Sequence, residues 1–550
     1  MSLRADLTVA IAAARDRAIA AGDLAIPDGV ELPAIGLERP AKAEHGDWAS
    51  NVAMQLAPLA RAAPMRIAEA LVARFESPPA VAEMSIAAPG FLNLRLDPAW
   101  VAGQVEPIRQ AGREYGRDTV SQPRRINVEF VSANPTGPLH VGNARGAFVG
   151  DVLSRVLTAV GHTVEREYYF NDFGAQVINL GLSVLARRRG AELPEDGYRG
   201  AYVEELAAEL PADVLAVADE QPAEAGRIVG AWATERVRAG IEASLARLGV
   251  QFDVWKEESS LHEGGWVERA VERLRASGHV YEADGATWFR STDFGDDKDR
   301  VIYRSNALPT YFASDIGYVT EKFSRGFDEL IYIWGADHHG TVARVRNAAE
   351  AMGYEREAVR MLLIAWVRFV RDGVEIPMSK RSGEFITLDD LLNEVGVDAA
   401  RWYFSSRAYT SGIDFDLELA KKQSNENPVY YVQYAHARAS SILRNAADAG
   451  LSPDGSRTAE LLRHPAEQAL LRHLLDFSDA LAVAAERRET HEVPRFAYEL
   501  ASAFSAFYRD CKVLTEDEAL SSARLALVDA TRSVLVNGLD LLGISAPDSM

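Results

Sequence analysis

The sequence is poor in cysteine and has no long hydrophobic run. One cysteine, Cys511, occurs in 550 residues, which excludes an intrachain disulfide and a metal site built from several cysteines. Cys511 falls on an apolar stripe with helical spacing, so we expect it in a core. No segment of about twenty apolar residues is present, and residues 1–20 carry charges where a secretion signal is apolar. We therefore expect a cytoplasmic protein with no membrane association.

Positive charge is also in short supply. The chain has 59 lysines and arginines against 80 aspartates and glutamates, a formal net charge of −21. Phosphate attraction dominates indiscriminate nucleic-acid binding, so this balance argues against it, although a locally basic RNA-binding face stays compatible. The acidic excess suits a pocket for a cationic substrate. The fractions of hydrophobic (48%) and charged (25%) residues are those of a globular protein, and the length predicts roughly two to four domains.

The stretch from Ile126 to Gly146 predicts a strand, a tight loop and the start of a helix. Apolar residues alternate up to Phe130, turn-forming residues follow, and after Gly142 the apolar residues recur at helical spacing. Thr163 to Phe170 then predicts a second strand, which completes a βαβ unit. In such units the loop after the first strand and the start of the helix form a place where phosphates bind. His140 and Asn143 lie there and have side chains that can donate hydrogen bonds.

The sequence ANPTGPLHVGN, from Ala133 to Asn143, resembles the HIGH signature of class I aminoacyl-tRNA synthetases in the form typical of arginyl-tRNA synthetases. Asn143 stands where the family has its second histidine, which keeps a hydrogen-bond donor but removes an ionisable ring. The resemblance implies catalytic roles for His140 and Asn143. It also implies that Pro135, Gly137, His140, Gly142 and Asn143 bind ATP.

Two later segments return to the predicted catalytic fold. Tyr311 and Asp315 are four residues apart, so they share one face if the segment is helical. The apolar strand Glu329 to Gly335 ends in polar residues, which are candidate ligands at the carboxyl end of a sheet. The resemblance implies that Gly335, Asp337 and His338 contact ATP. It implies an arginine site made of Glu129, Asn134, Tyr311, Asp315 and Asp337.

After a predicted strand from Met361 to Val370 comes a charged loop, DGVEIPMSKRSG, from Asp372 to Gly383. A lysine on such a loop can close over a triphosphate and neutralise charge on departing pyrophosphate. The loop resembles the KMSKS signature of class I synthetases, with Pro377 in place of the leading lysine. The resemblance implies that Met378, Ser379 and Lys380 bind ATP and that Lys380 is catalytic.

The pattern along the chain predicts three domains. Residues 1–115 resemble the additional N-terminal domain of arginyl-tRNA synthetases, which contacts the tRNA elbow. We expect an α+β fold there, then a Rossmann-like α/β catalytic domain over 116–395 with a mainly helical insertion at about 183–300. From 396 to 550 the apolar spacing is helical and predicts an all-α bundle. This region resembles the family's anticodon-binding domain, in which Tyr430, Tyr434 and Arg438 are the expected tRNA contacts.

The resemblance as a whole implies an arginine–tRNA ligase that uses ATP to form arginyl-adenylate and transfers arginine to its tRNA. It implies Mg²⁺ carried by ATP with no protein-bound metal, activation that waits for tRNA, and a monomer. Two alternatives stay open at this point. The departures at Asn143 and Pro377 are compatible with a paralogue that does not aminoacylate, and a non-catalytic tRNA-binding protein would share the same domains.

Overall fold

The computed structural model describes residues 2–27, 29–377 and 386–550. Within these ranges, no helix combines the length and apolar character needed to cross a bilayer. Short 3₁₀ helices interrupt the loops at Ala43–His45, Gly112–Glu114, Ser291–Phe294, Ala336–His338 and Arg356–Ala358.

The N-terminal region is an α+β domain, as predicted. Its three strands form an antiparallel sheet with β3 between β1 and β2, and helices cover it. The elements are α1 (Leu3–Ala20), β1 (Trp48–Ser50), α2 (Val52–Ala60), α3 (Pro64–Ala73), β2 (Val81–Ala87), β3 (Phe91–Leu96), α4 (Pro98–Gly103) and α5 (Val105–Ala111).

A five-stranded parallel sheet forms the centre of the molecule, in the order β11-β10-β4-β5-β6. The first part of this region contains β4 (Arg125–Glu129), α6 (Val141–Ala159), β5 (Thr163–Phe170), α7 (Ala175–Arg189), α8 (Ala201–Glu209), α9 (Ala212–Glu220), α10 (Ala225–Arg247), β6 (Val254–Glu257), α11 (Glu258–Glu263) and α12 (Trp266–Ala276). The second part contains β7 (Val280–Ala283), β8 (Ala286–Phe289), β9 (Arg300–Tyr303), α13 (Tyr311–Ser324), β10 (Glu329–Gly335), α14 (His339–Ala351) and β11 (Val359–Ile364).

The predicted βαβ unit is confirmed as β4, α6 and β5. Helix α6 packs closely on the strand because Gly150 has no side chain. A Cβ at Gly150 would lie 2.2 Å from the Phe130 ring. From β4 the chain crosses to β5 on one side, whereas β10 leads to β11 on the other. The strand order therefore reverses between β4 and β10. In open α/β sheets the carboxyl ends of strands at such a reversal form the ligand-binding crevice.

The predicted insertion at about 183–300 is too long. Helices α7 to α10 do separate β5 from β6, but β6 pairs with β5 in the central sheet, and β7, β8 and β9 form a small antiparallel sheet of their own. β6 has the sequence VWKE and pairs only at its Val254 to Glu257 register, so it lacks the apolar run expected of a central strand. Edge position explains that composition, since one side of β6 faces no further strand.

A third sheet spans the predicted boundary at residue 396. It consists of β12 (Val367–Arg371), β13 (Val374–Ile376) and β14 (Ile413–Asp416), with β12 in the middle. Since β14 pairs with β12, the helical C-terminal domain begins after β14, and the predicted boundary is wrong. The single strand expected from Met361 to Val370 is also wrong, because Ala365 donates its N–H to Tyr409 and the chain leaves the central sheet there.

The rest of the chain is helical and confirms the predicted bundle. Its elements are α15 (Leu388–Val395) and α16 (Val397–Ser405) before β14, and then α17 (Leu417–Lys421), α18 (Pro428–Asp448), α19 (Thr458–Leu461), α20 (Pro465–Arg487), α21 (Glu492–Asp510) and α22 (Glu518–Leu542). Cys511 is 2% exposed in the bundle, as expected for a core residue.

Candidate active site

The loop that leaves β4 has an unusual backbone. Val131 and Ser132 have φ angles of 68° and 41°, in the left-handed region that β-branched residues in particular avoid. The Ser132 hydroxyl donates to Glu129 Oε1 (3.2 Å) and accepts the N–H of Tyr169 on β5 (3.1 Å). These two bonds hold the strained turn between β4 and β5. Strain of this kind is found at ligand sites, where surrounding contacts hold it in place.

Two tyrosines fix the next part of this loop through its carbonyl groups. The hydroxyl of Tyr168 on β5 donates to Ala133 O (2.9 Å), and that of Tyr202 on α8 donates to Thr136 O (2.6 Å). Tyr202 comes from the insertion, so the insertion contacts the nucleotide-site loop directly. Sequence reasoning missed this contact, since nothing in the pattern of α8 distinguishes Tyr202 from a core tyrosine. Of the predicted ligands in this loop, Asn134 is exposed and Pro135 is buried.

His140 is the N-cap of α6. Its Nδ1 accepts the N–H of Gly142 (3.1 Å), and Asn143 Oδ1 accepts the N–H of His140 (3.1 Å). A Cβ at Gly142 would lie 2.9 Å from the imidazole, so glycine is needed for the ring to sit over the helix end. Because Nδ1 is an acceptor, the neutral ring carries its proton on Nε2. Partial desolvation lowers the pKa of His140, which favours that neutral form at pH 7.

The expectation that the backbone amides of α6 bind phosphates needs correction. The N–H groups of Val141, Gly142 and Asn143 already donate to Ile386 O, His140 Nδ1 and His140 O. What α6 offers an anion is therefore its dipole, the Nε2–H of His140 and the amide NH₂ of Asn143. The Asn143 oxygen serves the cap, which leaves its amide NH₂ as the donor of that side chain.

The strand reversal brings two of the predicted ATP-binding segments to one edge of the sheet. Gly335, Asp337 and His338 follow the end of β10, beside the end of β4, and all three are exposed. A Cβ at Gly335 would lie 2.4 Å from Asp337 Oδ1, so the glycine makes room for the turn of that carboxylate. The crevice between β4 and β10 is thus lined from both sides by residues predicted to contact ATP.

Met378, Ser379 and Lys380 lie outside the described residues. The chain on either side of them is placed by β13, which ends at Ile376, and by Ile386 to Leu388 beside α6. Ile386 O accepts the N–H of Val141 (3.1 Å), and Leu388 donates its N–H to Leu139 O (2.9 Å). The described chain therefore resumes beside the start of α6.

Three carboxylates form an acidic pocket near the carboxyl ends of β4, β5 and β6. They are Glu129 at the end of β4, Glu258 at the start of α11 and Asp315 on α13. Burial raises the pKa of all three. For Asp315 the pKa rises to about 7, because the charges of Glu129 and Glu258 add to the effect of burial while Arg344 opposes it. A site that concentrates negative charge in this way suits a ligand with more than one cationic group.

Glu258 is a site residue that sequence reasoning missed. It is 6% exposed and hydrogen-bonds with Tyr169 and Ser314. Its charge raises the pKa of Asp315. Its position directly after a strand was the available signal, but β6 was read as part of a helical insertion. Tyr311, by contrast, lies one helical turn before Asp315 on α13, as expected, and its side chain is 71% exposed.

The predicted tRNA-contacting residues form a ladder on α18. The rings of Tyr430 and Tyr434 are stacked, with centroids 6.3 Å apart and planes 9° apart. The Arg438 guanidinium lies 4.6 Å from the Tyr434 ring and 4.9 Å from the Tyr508 ring, and it donates to the Tyr434 hydroxyl (3.1 Å). Tyr430, Tyr434 and Arg438 are half-buried, so part of each side chain is exposed at the surface of α18.

A parallel sheet with a helix start at its strand-order reversal, followed by a helical bundle, is the architecture of a class I aminoacyl-tRNA synthetase. Family models agree over most of the chain. They are the arginyl tRNA synthetase N terminal domain (residues 2–96), the tRNA synthetases class I (R) catalytic domain (104–192 and 231–406) and the DALR anticodon binding domain (432–550). The gap at 193–230 contains α8 and α9.

Known proteins resemble the whole chain. The arginine–tRNA ligase of Moorella thermoacetica is 46% identical over 560 residues, which cover 100% of this chain and 98% of that one. That of Heliobacterium modesticaldum is 45% identical over 94% of both chains. The solved arginyl-tRNA synthetase of Thermus thermophilus has a TM-score of 0.80 at 26% identity and covers 100% of both chains. The chain belongs to the arginyl-tRNA synthetases, which confirms the predicted family and fold class.

Proposed function

We propose that this arginine–tRNA ligase activates arginine in the acidic pocket and uses the crevice between β4 and β10 for ATP. The observation that supports the proposal is the position of Glu129, which ends β4 at the pocket while the same strand leads into the loop capped by His140. The arginine carboxylate would then meet the α-phosphate at the edge of the sheet and attack it in line. Pyrophosphate leaves, and the tRNA 3′ hydroxyl later takes arginine from the adenylate.

The side chains near α6 stabilise the charge that develops on the phosphate. His140 donates its Nε2–H, Asn143 donates from its amide group, and the dipole of α6 adds a positive potential. Gly335, Asp337 and His338 hold the nucleotide from the β10 side, and Lys380, by the resemblance, neutralises the departing pyrophosphate. Mg²⁺ accompanies ATP and screens the phosphate charge. No side chain acts as a nucleophile.

The acidic pocket selects arginine by charge and shape. Asp315 and Glu258 face the planar guanidinium, which a carboxylate can hold with two parallel hydrogen bonds, and Glu129 with Asn134 holds the α-ammonium. The ammonium group of lysine is a compact charge that cannot pair with all of the carboxylate oxygens that accept from a guanidinium, so lysine is rejected.

On the bundle, Tyr430, Tyr434 and Arg438 provide a stacking surface for unpaired bases of the tRNA. Aromatic faces and guanidinium planes are the usual partners of splayed RNA bases. Cytoplasmic location, a monomeric state and activation that waits for tRNA belong to the same proposal, on the strength of the family resemblance.

Replacing Asp315 by Asn tests the pocket. Arginine-dependent ATP–pyrophosphate exchange, measured with tRNA present, is expected to lose on the order of a thousandfold in kcat/KM for arginine, because the variant leaves a buried guanidinium unpaired. The KM for ATP is expected to stay the same. Asp454→Asn, an exposed aspartate of the bundle, is the matched control.

Substrate analogues extend this test. Citrulline keeps the shape of arginine without its charge, so equal use of citrulline and arginine by the unaltered protein would remove Asp315 from its assigned role. No exchange with arginine and cognate tRNA would instead support the paralogue that lacks aminoacylation.

A further inference from the structure

Lys322 is a fully buried lysine next to the acidic pocket. It lies on α13, two helical turns after Asp315, and its side chain is 0% exposed. Its Nζ lies 2.6 Å from Glu129 Oε2, and Glu129 is 5% exposed in its side chain. Burying two charges is costly unless they are paired and hydrogen-bonded, so a pair like this needs an explanation beyond stability.

Two aromatic rings surround the Lys322 side chain. Its Nζ lies 4.2 Å from the centre of the Tyr318 ring and 4.1 Å from that of Tyr332, an arrangement that stabilises an ammonium by cation–π attraction. The neighbouring Glu167 is engaged by Arg325 at 2.7 Å and by the Tyr318 hydroxyl. The charge of Lys322 acts on Glu167 as well, but Glu129 is the carboxylate that pairs with Lys322 directly.

Glu129 stands at the end of β4 with few other stabilising contacts. Besides Lys322, its carboxylate accepts one hydrogen bond from Ser132 (3.2 Å). The titratable and charged groups around it are Glu167 and Tyr169 on β5, Asp315, Tyr318 and Lys322 on α13, and Tyr332 on β10. Arg325 at the C-cap of α13 acts on Glu167 and Tyr332, and Arg344 on α14 acts on Asp315. Lys322, in contrast, is the cation that pairs with Glu129 itself.

We propose that Lys322 is a positioning residue for arginine binding, which holds the Glu129 carboxylate ionised and oriented toward the substrate's α-ammonium. This inference rests on the proposed arginine site. Without Lys322, a buried carboxylate among other acids takes up a proton, and a protonated Glu129 no longer attracts a cation. Burial already raises the pKa of Glu129, and the charge of Lys322 opposes that rise. The contacts of Lys322 are with Glu129, Tyr318 and Tyr332, none of which is predicted to contact ATP, so we expect Lys322 to act on the amino acid.

The test is Lys322→Met, assayed by arginine-dependent pyrophosphate exchange in the presence of tRNA. We expect the KM for arginine to rise by roughly ten- to a hundredfold with little change in the KM for ATP. The rise should be smaller at pH 9 than at pH 7, because higher pH ionises Glu129 again. Lys421→Met, at an exposed lysine paired with Glu418 at 2.6 Å on α17, controls for the loss of a lysine.

A double variant separates this role from a purely structural one. In a Glu129→Gln background, Lys322→Met should change the KM for arginine by less than about twofold, because its target is already neutral. The double variant has no buried carboxylate left without its partner, so it is expected to be at least as stable as Lys322→Met and keeps the test available if that single variant is poorly folded. Thermal unfolding of all variants is measured alongside.

Three outcomes overturn the inference. The first is an unchanged KM for arginine in Lys322→Met, and the second is an equal rise of the KM for ATP. The third is an effect of Lys322→Met that adds in full to that of Glu129→Gln. Absence of arginine-dependent exchange in the unaltered protein is a different result, and it would refute the proposed function itself.

Discussion

Two buried ion pairs, each between a cation and a carboxylate, lie in two different regions of this molecule. Lys322 and Glu129 pair at the acidic pocket, and Arg401 and Asp151 pair at the junction of the catalytic sheet with the bundle, each partner at most 5% exposed in its side chain. Arg401 also donates to the carbonyls of Leu248 (2.6 Å) and Leu542 (2.5 Å). The guanidinium of Arg401 thus donates its hydrogen bonds to groups of the protein itself.

The difference indicates what each pair does. Asp151 belongs to α6, Leu248 follows α10, and Leu542 ends α22, so one guanidinium joins three parts of the chain. Lys322 has a compact charge with one carboxylate partner and two aromatic faces, and it leaves Glu129 oriented by a single further bond. An ion pair whose donors are fully used by the protein stabilises a junction. One with spare acceptor capacity next to a pocket is arranged for a ligand.

Arg401→Met should produce the largest effect. It removes the bonds to Asp151, Leu248 and Leu542, although Asp151 keeps Arg155 as an ion-pair partner at 2.8 Å. Breaking a buried pair costs about 3–5 kcal/mol in the free energy of unfolding, and the remaining partner places the expected loss near the lower end of that range. We expect a clearly lower midpoint in urea-induced unfolding, with the KM for arginine unchanged in the variant that remains folded. Arg457→Met, an exposed arginine paired with Glu460, is the control and should change stability by no more than about 0.5 kcal/mol.

If Arg401→Met instead raised the KM for arginine as strongly as Lys322→Met, the distinction between the two pairs would be lost. A stability loss in Lys322→Met equal to that in Arg401→Met, without an effect on arginine, would have the same consequence.

The two ion pairs also show which features the sequence predicts and which it does not. The βαβ unit was predicted with its second strand at the right residues, because apolar periodicity is strong there, and the resemblance placed Glu129 and Asp315 at one site. Arg401 and its partner Asp151 are 250 residues apart, and no local pattern encodes such a contact. Lys322 was hidden for the same reason.

The errors in the predicted fold have a common cause. β6 and β14 are short strands with charged residues, so tertiary pairing rather than periodicity defines them. Misreading β6 as part of the insertion hid Glu258, which follows it directly. Misreading β14 as helix moved the domain boundary. Both errors arise where an edge strand carries little apolar signal.

Tyr434→Ala gives an intermediate effect and extends the comparison to the bundle. Removing the ring leaves Tyr430 and Arg438 without the aromatic face between them, and a stacked base is worth about 1–3 kcal/mol. We expect tRNA affinity, measured by filter binding at fixed salt, to fall by roughly ten- to a hundredfold. The melting temperature of the protein should not change, because the junction around Arg401 is intact. Tyr498→Ala, at an exposed tyrosine packed on Tyr431, is the matched control. Equal losses in both variants would contradict a specific role for Tyr434.

The smallest expected effect is a pH dependence confined to the pocket. The pKa of Asp315 is raised to about 7, so its ionised fraction falls as the pH drops below 7, whereas the guanidinium of arginine stays charged. The KM for arginine should therefore be about fourfold higher at pH 6.5 than at pH 8.

ATP supplies the internal reference for this prediction. Desolvation lowers the pKa of His140, which favours its neutral form over the same interval, so the KM for ATP should change less than the KM for arginine. The titration of Asp315 also makes the stability of the protein depend on pH, which thermal unfolding can measure. Because the folded-state pKa of Asp315 lies above its unfolded value, the folded chain binds an extra proton between about pH 4 and 7, and this contribution is lost as the pH rises through 7. Asp315→Asn, which cannot ionise, should gain melting temperature over the unaltered protein between pH 5 and pH 8, and a constant difference would show that Asp315 is not the group that titrates.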